Sequence, residues 1–163
     1  HGVSPVVEST PPNAASPAAQ VFIETEQKLA ALGTETLRVC NFRTGTIYGP
    51  GREHRNELRH IAGKQIPFDG KSDAMLVHRD DVVRAIAFAI DRNLSGVFNL
   101  FNDIPDNKQD FFARIAQREG LEPVTWLGVV KGPKGVSNDR IKGTGFTFID
   151  PVGAREGEDL LAR

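Results

Sequence analysis

The stretch that decides the fold runs from residue 74 to residue 101, "AMLVHRDDVVRAIAFAIDRNLSGVFNLF". It opens with a short apolar run and closes with "GVFNLF", and both are typical of buried strands. Apolar residues between them repeat at the spacing of an amphipathic helix: Val82, Ala85, Ile86, Ala89 and Ile90. We therefore predict a strand, a helix and a second strand, with Asp80 or Asp81 capping the helix.

The same alternation extends along the rest of the chain. Further strands are expected over residues 35–42, 64–68 and 123–127, and further helices over 17–32, 53–63, 106–119, 138–145 and the C-terminal tail. Alternating strands and helices favour an α/β fold over an all-β fold. The segment "RTGTIYGPGR" (43–52) is rich in glycine and is predicted to be a loop.

Composition excludes several classes of function. The chain has 163 residues, 39% hydrophobic and 25% charged, which suits one ordinary domain. A net charge of −1 gives no basic stripe for a nucleic acid, and no apolar run approaches the ~20 residues that span a bilayer. The single cysteine, Cys40, favours a reducing cytoplasm and is expected to be a structural thiol rather than a nucleophile.

Few side chains suggest chemistry on their own. His78 ends a predicted strand, where it could contact a ligand or orient the turn into the helix. The glycines of "TGTIYGPG" fit a sharp turn better than a phosphate loop, because their spacing does not match a dinucleotide fingerprint. Trp126 is expected to be a core residue rather than a stacking platform. No Cys/His cluster is visible, so no metal site is predicted.

Five stretches taken together resemble a known family. They are "SPAAQVFIETEQKL" (16–29), "LRVCNFRTGTIYGPGR" (37–52), "VHRDDVVRAIAFAI" (77–90), "GVFNLFND" (96–103) and "VSNDRIKGTGFTFIDPVGAREG" (136–157). In this order they resemble the C-terminal half of an extended short-chain dehydrogenase/reductase. The similarity is to the NAD-dependent epimerase/dehydratase family, and the last stretch looks most like its sugar-nucleotide-epimerase-like members.

The resemblance implies an α/β fold: the C-terminal part of an NAD(P)-binding Rossmann-like fold with a small substrate-facing lobe. Residues 1–163 would be a single partial domain, and the N-terminal half, with five strands and the glycine-rich loop, would lie outside this sequence. The implied cofactor is NAD or NADP. The implied partner is a small-molecule substrate such as a nucleotide sugar, with a homodimer expected through helix 17–32.

The match also places two of the family's catalytic positions. The family's tyrosine falls on Ala18 and its lysine, one helical turn later, on Phe22. The tyrosine transfers a proton while hydride moves, and the lysine lowers its pKa. Neither alanine nor phenylalanine can do this, so no catalytic residue is assigned. Phe22 instead predicts a more apolar pocket wall.

The remaining site residues are carried over in the same way. Thr44, Gly45 and Thr46 match the segment that approaches the nicotinamide, and they are the candidate cofactor-binding residues. The candidate substrate-binding residues are Tyr48, Arg52, His78 and Arg79. The family's loop asparagine falls on Thr46, and the arginine that clamps diphosphate falls on Ala74.

These features leave three hypotheses. The first is an atypical NAD(P)-dependent epimerase/dehydratase-like protein of the nucleoside-diphosphate-sugar epimerase type. The second is a non-catalytic NAD(P)-binding sensor or scaffold, and the third is an interaction module without a cofactor. An upstream reading frame that encodes a strand, a glycine-rich loop and a helix would remove the third.

Overall fold

The computed structural model describes residues 5–14, 16–52, 54–103, 107–131 and 134–149. Five helices lie in this part of the chain: α1 (Pro17–Ala31), α2 (His54–Ile61), α3 (Arg79–Asp91), α4 (Lys108–Glu119) and α5 (Asp139–Gly143). Six strands accompany them: β1 (Cys40–Thr44), β2 (Thr46–Tyr48), β3 (Gln65–Phe68), β4 (Leu76–His78), β5 (Gly96–Leu100) and β6 (Thr125–Val130).

The strands form three parallel pairs. Strand β1 pairs with β5, with Cys40 opposite Gly96 and Thr44 opposite Leu100. Strand β2 pairs with β4, and β3 pairs with β6. Parallel pairs require crossover connections, which helices supply here. The predicted α/β class is therefore confirmed.

Two apolar clusters hold these layers together. One joins β2 and β4 to α2 and α4, and its buried members are Tyr48, Leu58, Ala74, Leu76, Phe111, Ile115 and Ala116. The other joins β4 and β5 to α3, α5 and the segment after α5, and its buried members are Val77, Ala85, Phe98, Leu100, Ile141 and Phe146. The chain thus folds around two adjacent cores.

Capping residues in the sequence predicted the ends of α1 and α4 correctly. Ser16 caps α1, because its hydroxyl accepts a hydrogen bond from the Ala19 N–H at 3.2 Å, and Pro17 follows at the first helical position. Asn107 caps α4 through the Asp110 N–H at 2.9 Å, and Gly120 ends that helix with a φ of 63°. The tail predicted as a final helix lies outside the described residues.

The predicted loop 43–52 is partly wrong. It contains the end of β1 and all of β2. Thr46, Ile47 and Tyr48 are β-branched or aromatic residues, which favour extended backbone once a neighbouring strand is present. That neighbour is β4, so the strand depends on a distant pairing rather than on a local signal.

The apolar face of α3 also differs from the predicted one. The helix buries Asp81, Ala85 and Ala89. Ile86 and Ile90 were predicted on the same face, but they are 49% and 77% exposed. The packed face is therefore narrower than the apolar pattern, because small alanines lie closest to the strands.

Within the described segments, no helix is long and apolar enough to cross a lipid bilayer.

Candidate functional site

The main candidate site is a cavity of about 540 Å³, within the usual range for a small-molecule pocket. It lies where the β1–β2 junction, the segment before β4, α2, β3, α4 and β6 meet. Its lining residues are Thr44, Gly45, Thr46, Glu57, Ile61, Ile66, Pro67, Phe68, Asp73, Ala74, Met75, Leu76, Lys108, Phe111, Phe112 and Trp126.

The cavity begins where the chain passes from one strand pair to another. The Gly45 N–H donates to the Leu100 carbonyl on the β5 side at 3.2 Å, and the Thr46 N–H donates to the Met75 carbonyl on the β4 side at 2.8 Å. A Cβ on Gly45 would lie 2.5 Å from the Met75 carbonyl oxygen. Glycine is needed here because the two backbones touch. Ligands of open α/β folds bind at such changes of strand order.

The predicted cofactor-binding residues are thus placed together. Thr44, Gly45 and Thr46 all line the cavity, and the two threonines are exposed. Their hydroxyl groups can both donate and accept hydrogen bonds. This chemistry fits an amide or a ribose hydroxyl, so these residues are compatible with the nicotinamide end of NAD or NADP.

The opposite wall of the cavity is aromatic. The Phe111 and Phe112 rings meet edge to face at 5.4 Å, and the Phe112 and Trp126 rings lie 5.9 Å apart. Trp126 was predicted to be a core residue, but it is half-buried and lines the cavity. Its packing explains the difference: a Cβ on Gly70 would lie 2.7 Å from Trp126 Cγ, so the indole rests on the Gly70 backbone.

Three charged residues line the cavity, and sequence reasoning missed all of them. They are Glu57 on α2, Asp73 before β4 and Lys108 at the start of α4. The Asp73 carboxylate accepts a hydrogen bond from the Gly135 N–H at 2.6 Å, which fixes its position. The lining thus contains two acidic residues and one basic residue, so its charged side chains favour neutral ligands over anions.

The predicted substrate-binding residues lie at the ends of β2 and β4, in the turn after β2 and at the start of α3. The Tyr48 ring meets the His78 ring edge to face at 5.2 Å, and Tyr48 is buried. Arg79 donates from Nη1 to the Pro50 carbonyl at 3.0 Å and from Nε to Asp80 at 3.1 Å. Arg52 is exposed, and its N–H donates to the Gly49 carbonyl. None of these four predicted residues lines the main cavity.

His78, rather than an aspartate, is the N-cap of α3. Its Nδ1 accepts a hydrogen bond from the Asp80 N–H at 3.2 Å. This is the turn-orienting role weighed above, and it leaves Nε2 as the ring nitrogen that points toward Gly49. A Cβ on Gly49 would lie 3.1 Å from that nitrogen. The backbone of residue 49 therefore covers one edge of the imidazole.

Asp81 was predicted as a possible cap and is instead a buried carboxylate, 0% exposed. Its Oδ1 accepts hydrogen bonds from the Ile149 N–H and from Arg84 Nη1, both at 2.8 Å. Its Oδ2 is buried without a hydrogen-bond partner among the described residues. Burial raises the pKa of this carboxyl group, although Ile149 and Arg84 oppose the shift. Asp81 thus links α3 to the segment that follows α5.

The two positions that resemble the catalytic pair lie on α1. Ala18 is exposed and Phe22 is 75% exposed. Neither residue lines the main cavity, and the apolar pocket wall predicted from Phe22 stays a prediction. Across the described segments, no group of three or more His, Cys, Asp or Glu side chains is arranged to hold a metal ion.

No family model matches the chain. One curated relative does, the 3-diazoavenalumate denitrifying reductase of a Streptomyces species. It is 30% identical over 97 residues, which are 56% of this chain and 32% of the relative. The chain thus spans about a third of that protein.

Solved structures match over almost the whole chain. MoeE5 in complex with UDP-glucuronic acid and NAD superposes with a TM-score of 0.72 at 23% identity, covering 99% of this chain and 59% of MoeE5. A protein of Methylobacillus flagellatus assigned to the NAD-dependent epimerases/dehydratases gives a TM-score of 0.66 at 26% identity. That match covers 92% of this chain and 55% of the other. In fold, the chain is therefore similar to a little over half of an NAD-dependent epimerase/dehydratase.

Proposed function

We propose that this chain is the substrate-facing part of an NAD(P)-dependent epimerase/dehydratase-like protein. The observation that carries the proposal is the cavity at the β1–β2 junction, where Gly45 lets the backbone of one strand pair touch that of the next. MoeE5, which has the same fold, was crystallised with NAD. A bound nicotinamide cofactor would supply hydride transfer at this point.

The chain's own residues have distinct proposed roles. Thr44 and Thr46 would hydrogen-bond the cofactor, and Gly45 would keep the backbone close to it. The rest of the substrate would contact the neighbouring residues Tyr48, Arg52, His78 and Arg79. Arg79 is positioned for this by the Pro50 carbonyl and by Asp80. A nucleotide sugar is the substrate that the resemblance implies, as in the MoeE5 complex.

A second polypeptide segment completes the proposed protein. The matched structures are longer, and this chain spans 55% of one and 59% of the other. Helix α1 buries none of its residues, and Val21, Phe22 and Leu29 of the helix are exposed together with its C-cap, Leu32. Such an apolar surface fits contact with an N-terminal dinucleotide-binding half, with a second copy in a homodimer, or with both. The single cysteine supports a cytoplasmic location.

The alternative is a non-catalytic NAD(P)-binding sensor or scaffold. Ala18 and Phe22 favour it, because neither side chain can transfer a proton. The fold and the cofactor contacts would be the same in both cases. The two proposals differ only in whether a bound substrate is turned over.

Calorimetric titration of the full-length protein with NAD⁺, NADH, NADP⁺ and NADPH tests the proposal. We expect at least one of the four to bind, and Gly45→Ala to weaken it at least tenfold. Gly143→Ala is the matched control, since a Cβ there meets nothing within 4 Å. Absence of binding by all four would reject the proposal. Cofactor binding without turnover of sugar nucleotides or carbonyl compounds would favour the sensor.

A further inference from the structure

We propose that the main cavity binds a planar, uncharged aromatic group of the substrate rather than a nucleoside diphosphate. This inference rests on the proposed function, since it names the substrate class of the same cavity. Two observations of the structure support it, the aromatic wall and the charges of the lining, and the family resemblance adds a third point, the alanine at residue 74.

The side chains of the aromatic wall are held in place by packing. Gly70 allows the Trp126 indole to rest on the backbone, and a Cβ there would also lie 2.9 Å from Gln109 Cβ on α4. Phe112 packs against the same indole, and the neighbouring Phe111 is buried in the core. These rings are ordered before a ligand arrives, so little conformational entropy is lost when a flat group stacks on them.

The charges of the lining oppose a diphosphate. Sites for diphosphates use arginine or lysine side chains that hydrogen-bond the phosphate oxygens. Here Glu57 and Asp73 are among the lining residues, and Lys108 is the one cation among the lining residues that the structure describes. A diphosphate would bring two or more negative charges close to those carboxylates. An uncharged ring meets no such repulsion.

By the family resemblance, the arginine that clamps diphosphate is also replaced. Its position is Ala74, which is 4% exposed and packed in the core. Arg79, the neighbouring candidate, already donates to Pro50 and Asp80 and does not line the cavity. Among its described lining residues, the cavity therefore has an aromatic surface and no arginine.

Binding of three probes to the full-length protein tests this inference. The probes are cinnamamide, its saturated-ring analogue 3-cyclohexylpropanamide, and UDP-glucose, each titrated calorimetrically. Trp126 is the only tryptophan of this chain. Quenching of tryptophan fluorescence that is seen in the wild type and lost in a Trp126→Leu variant is therefore the signal from this cavity. We expect cinnamamide to bind at least tenfold more tightly than either other probe.

Substitutions test the aromatic rings and the charges of the lining separately. Trp126→Leu and Phe112→Leu should each weaken cinnamamide roughly 3- to 10-fold, as expected for loss of one aromatic contact. Phe148→Leu, which removes a half-buried ring outside the cavity, should not change its affinity. Glu57→Lys at an exposed position should tighten UDP-glucose severalfold and leave cinnamamide within twofold.

The result that overturns the inference is UDP-glucose binding as tightly as cinnamamide or more tightly, with an affinity that falls in Trp126→Leu. A loss of cinnamamide affinity in Glu57→Lys would also overturn it. Cofactor titrations run in parallel keep the two proposals apart. Cinnamamide binding without NAD(P) binding would reject the proposed function, whereas NAD(P) binding with tight UDP-glucose would reject only the aromatic substrate class.

Discussion

The Arg43 guanidinium holds the Glu26 carboxylate with two hydrogen bonds, 2.8 Å from Nε to Oε2 and 2.6 Å from Nη2 to Oε1. This ion pair joins α1 to β1. Arg43 also donates to the Glu8 carbonyl, and the Glu8 carboxylate accepts from the Asn99 N–H on β5. Because α1 buries none of its residues, this polar network is a principal link between the helix and the β1–β5 pair.

Glu26→Gln should lower the free energy of unfolding by about 1 kcal/mol at pH 7, because a bidentate, partly buried pair is worth more than an exposed one. The hydrogen bonds from Arg43 lower the pKa of Glu26 below 4.5. The stabilisation is therefore present above that pH and is lost as the pH falls through the lowered pKa. Urea unfolding of both proteins between pH 3 and pH 7 measures the difference.

The matched control is Asp91→Asn, since Asp91 lies 3.5 Å from Arg92 in a pair that is mostly exposed to solvent. It should change stability by less than about 0.5 kcal/mol. A Glu26→Gln difference that stays constant down to pH 3 would show that the charge of Glu26 is not what stabilises the contact.

Gly45→Ala should destabilise the chain by about 1–3 kcal/mol, because the added methyl group collides with backbone rather than with a movable side chain. Thermal unfolding compared with Gly143→Ala measures this cost. The control should be neutral or slightly stabilising, since glycine in a helix is less favourable than alanine. Equal stability of the two variants would mean that the β1–β2 junction moves freely away from Met75.

His78→Ala should cost about 1 kcal/mol, because it removes the N-cap of α3. His78→Asn should keep most of this stability, since asparagine is a favoured cap. The pair of variants separates capping from ligand contact. If His78 binds substrate, both variants lose affinity, whereas a purely capping residue loses neither affinity nor stability when it is replaced by asparagine.

Asp81→Asn tests the buried carboxyl group. Burial raises the pKa of Asp81 above 3.8, so this carboxyl group binds its proton more tightly in the folded chain than in the unfolded one. Its contribution is fully present below pH 3.8 and is lost as the pH rises through the raised pKa. Asp81→Asn carries no such charge, so its stability relative to the wild type should increase from pH 4 to pH 7. A difference that falls over this range would contradict a raised pKa.

The sequence predicted those elements whose signals are local. Asn107 and Gly120 mark the two ends of α4 within the helix's own neighbourhood, and α3 shows its helical repeat in consecutive residues. Strand β2 was missed because Gly45 and Gly49 flank only three residues. Its extended backbone depends on pairing with β4, and no residue close to it in the sequence indicates that pairing.

The candidate site was predictable only in part. Thr44, Gly45 and Thr46 were found through a family resemblance and do lie together at the cavity. Trp126 was assigned to the core because the sequence of a strand does not show whether a large aromatic residue faces the core or a cavity. Its orientation depends on Gly70, which is distant in sequence. The charged lining residues were missed for a similar reason, because they come from separate segments: α2, the start of α4 and the segment before β4.

The parallel pairing of distant segments has a consequence for how the chain is synthesised. Gln65 of β3 pairs with Thr125 of β6, and Cys40 of β1 pairs with Gly96 of β5. During synthesis on the ribosome, β1 and β3 emerge long before β5 and β6, and the edges that these later strands cover stay unpaired until then. Folding dominated by such non-local contacts is slow and leaves those edges open to association with other chains. The interval between the emergence of β1 and that of β6 is therefore the stage at which this chain is most open to association with other chains.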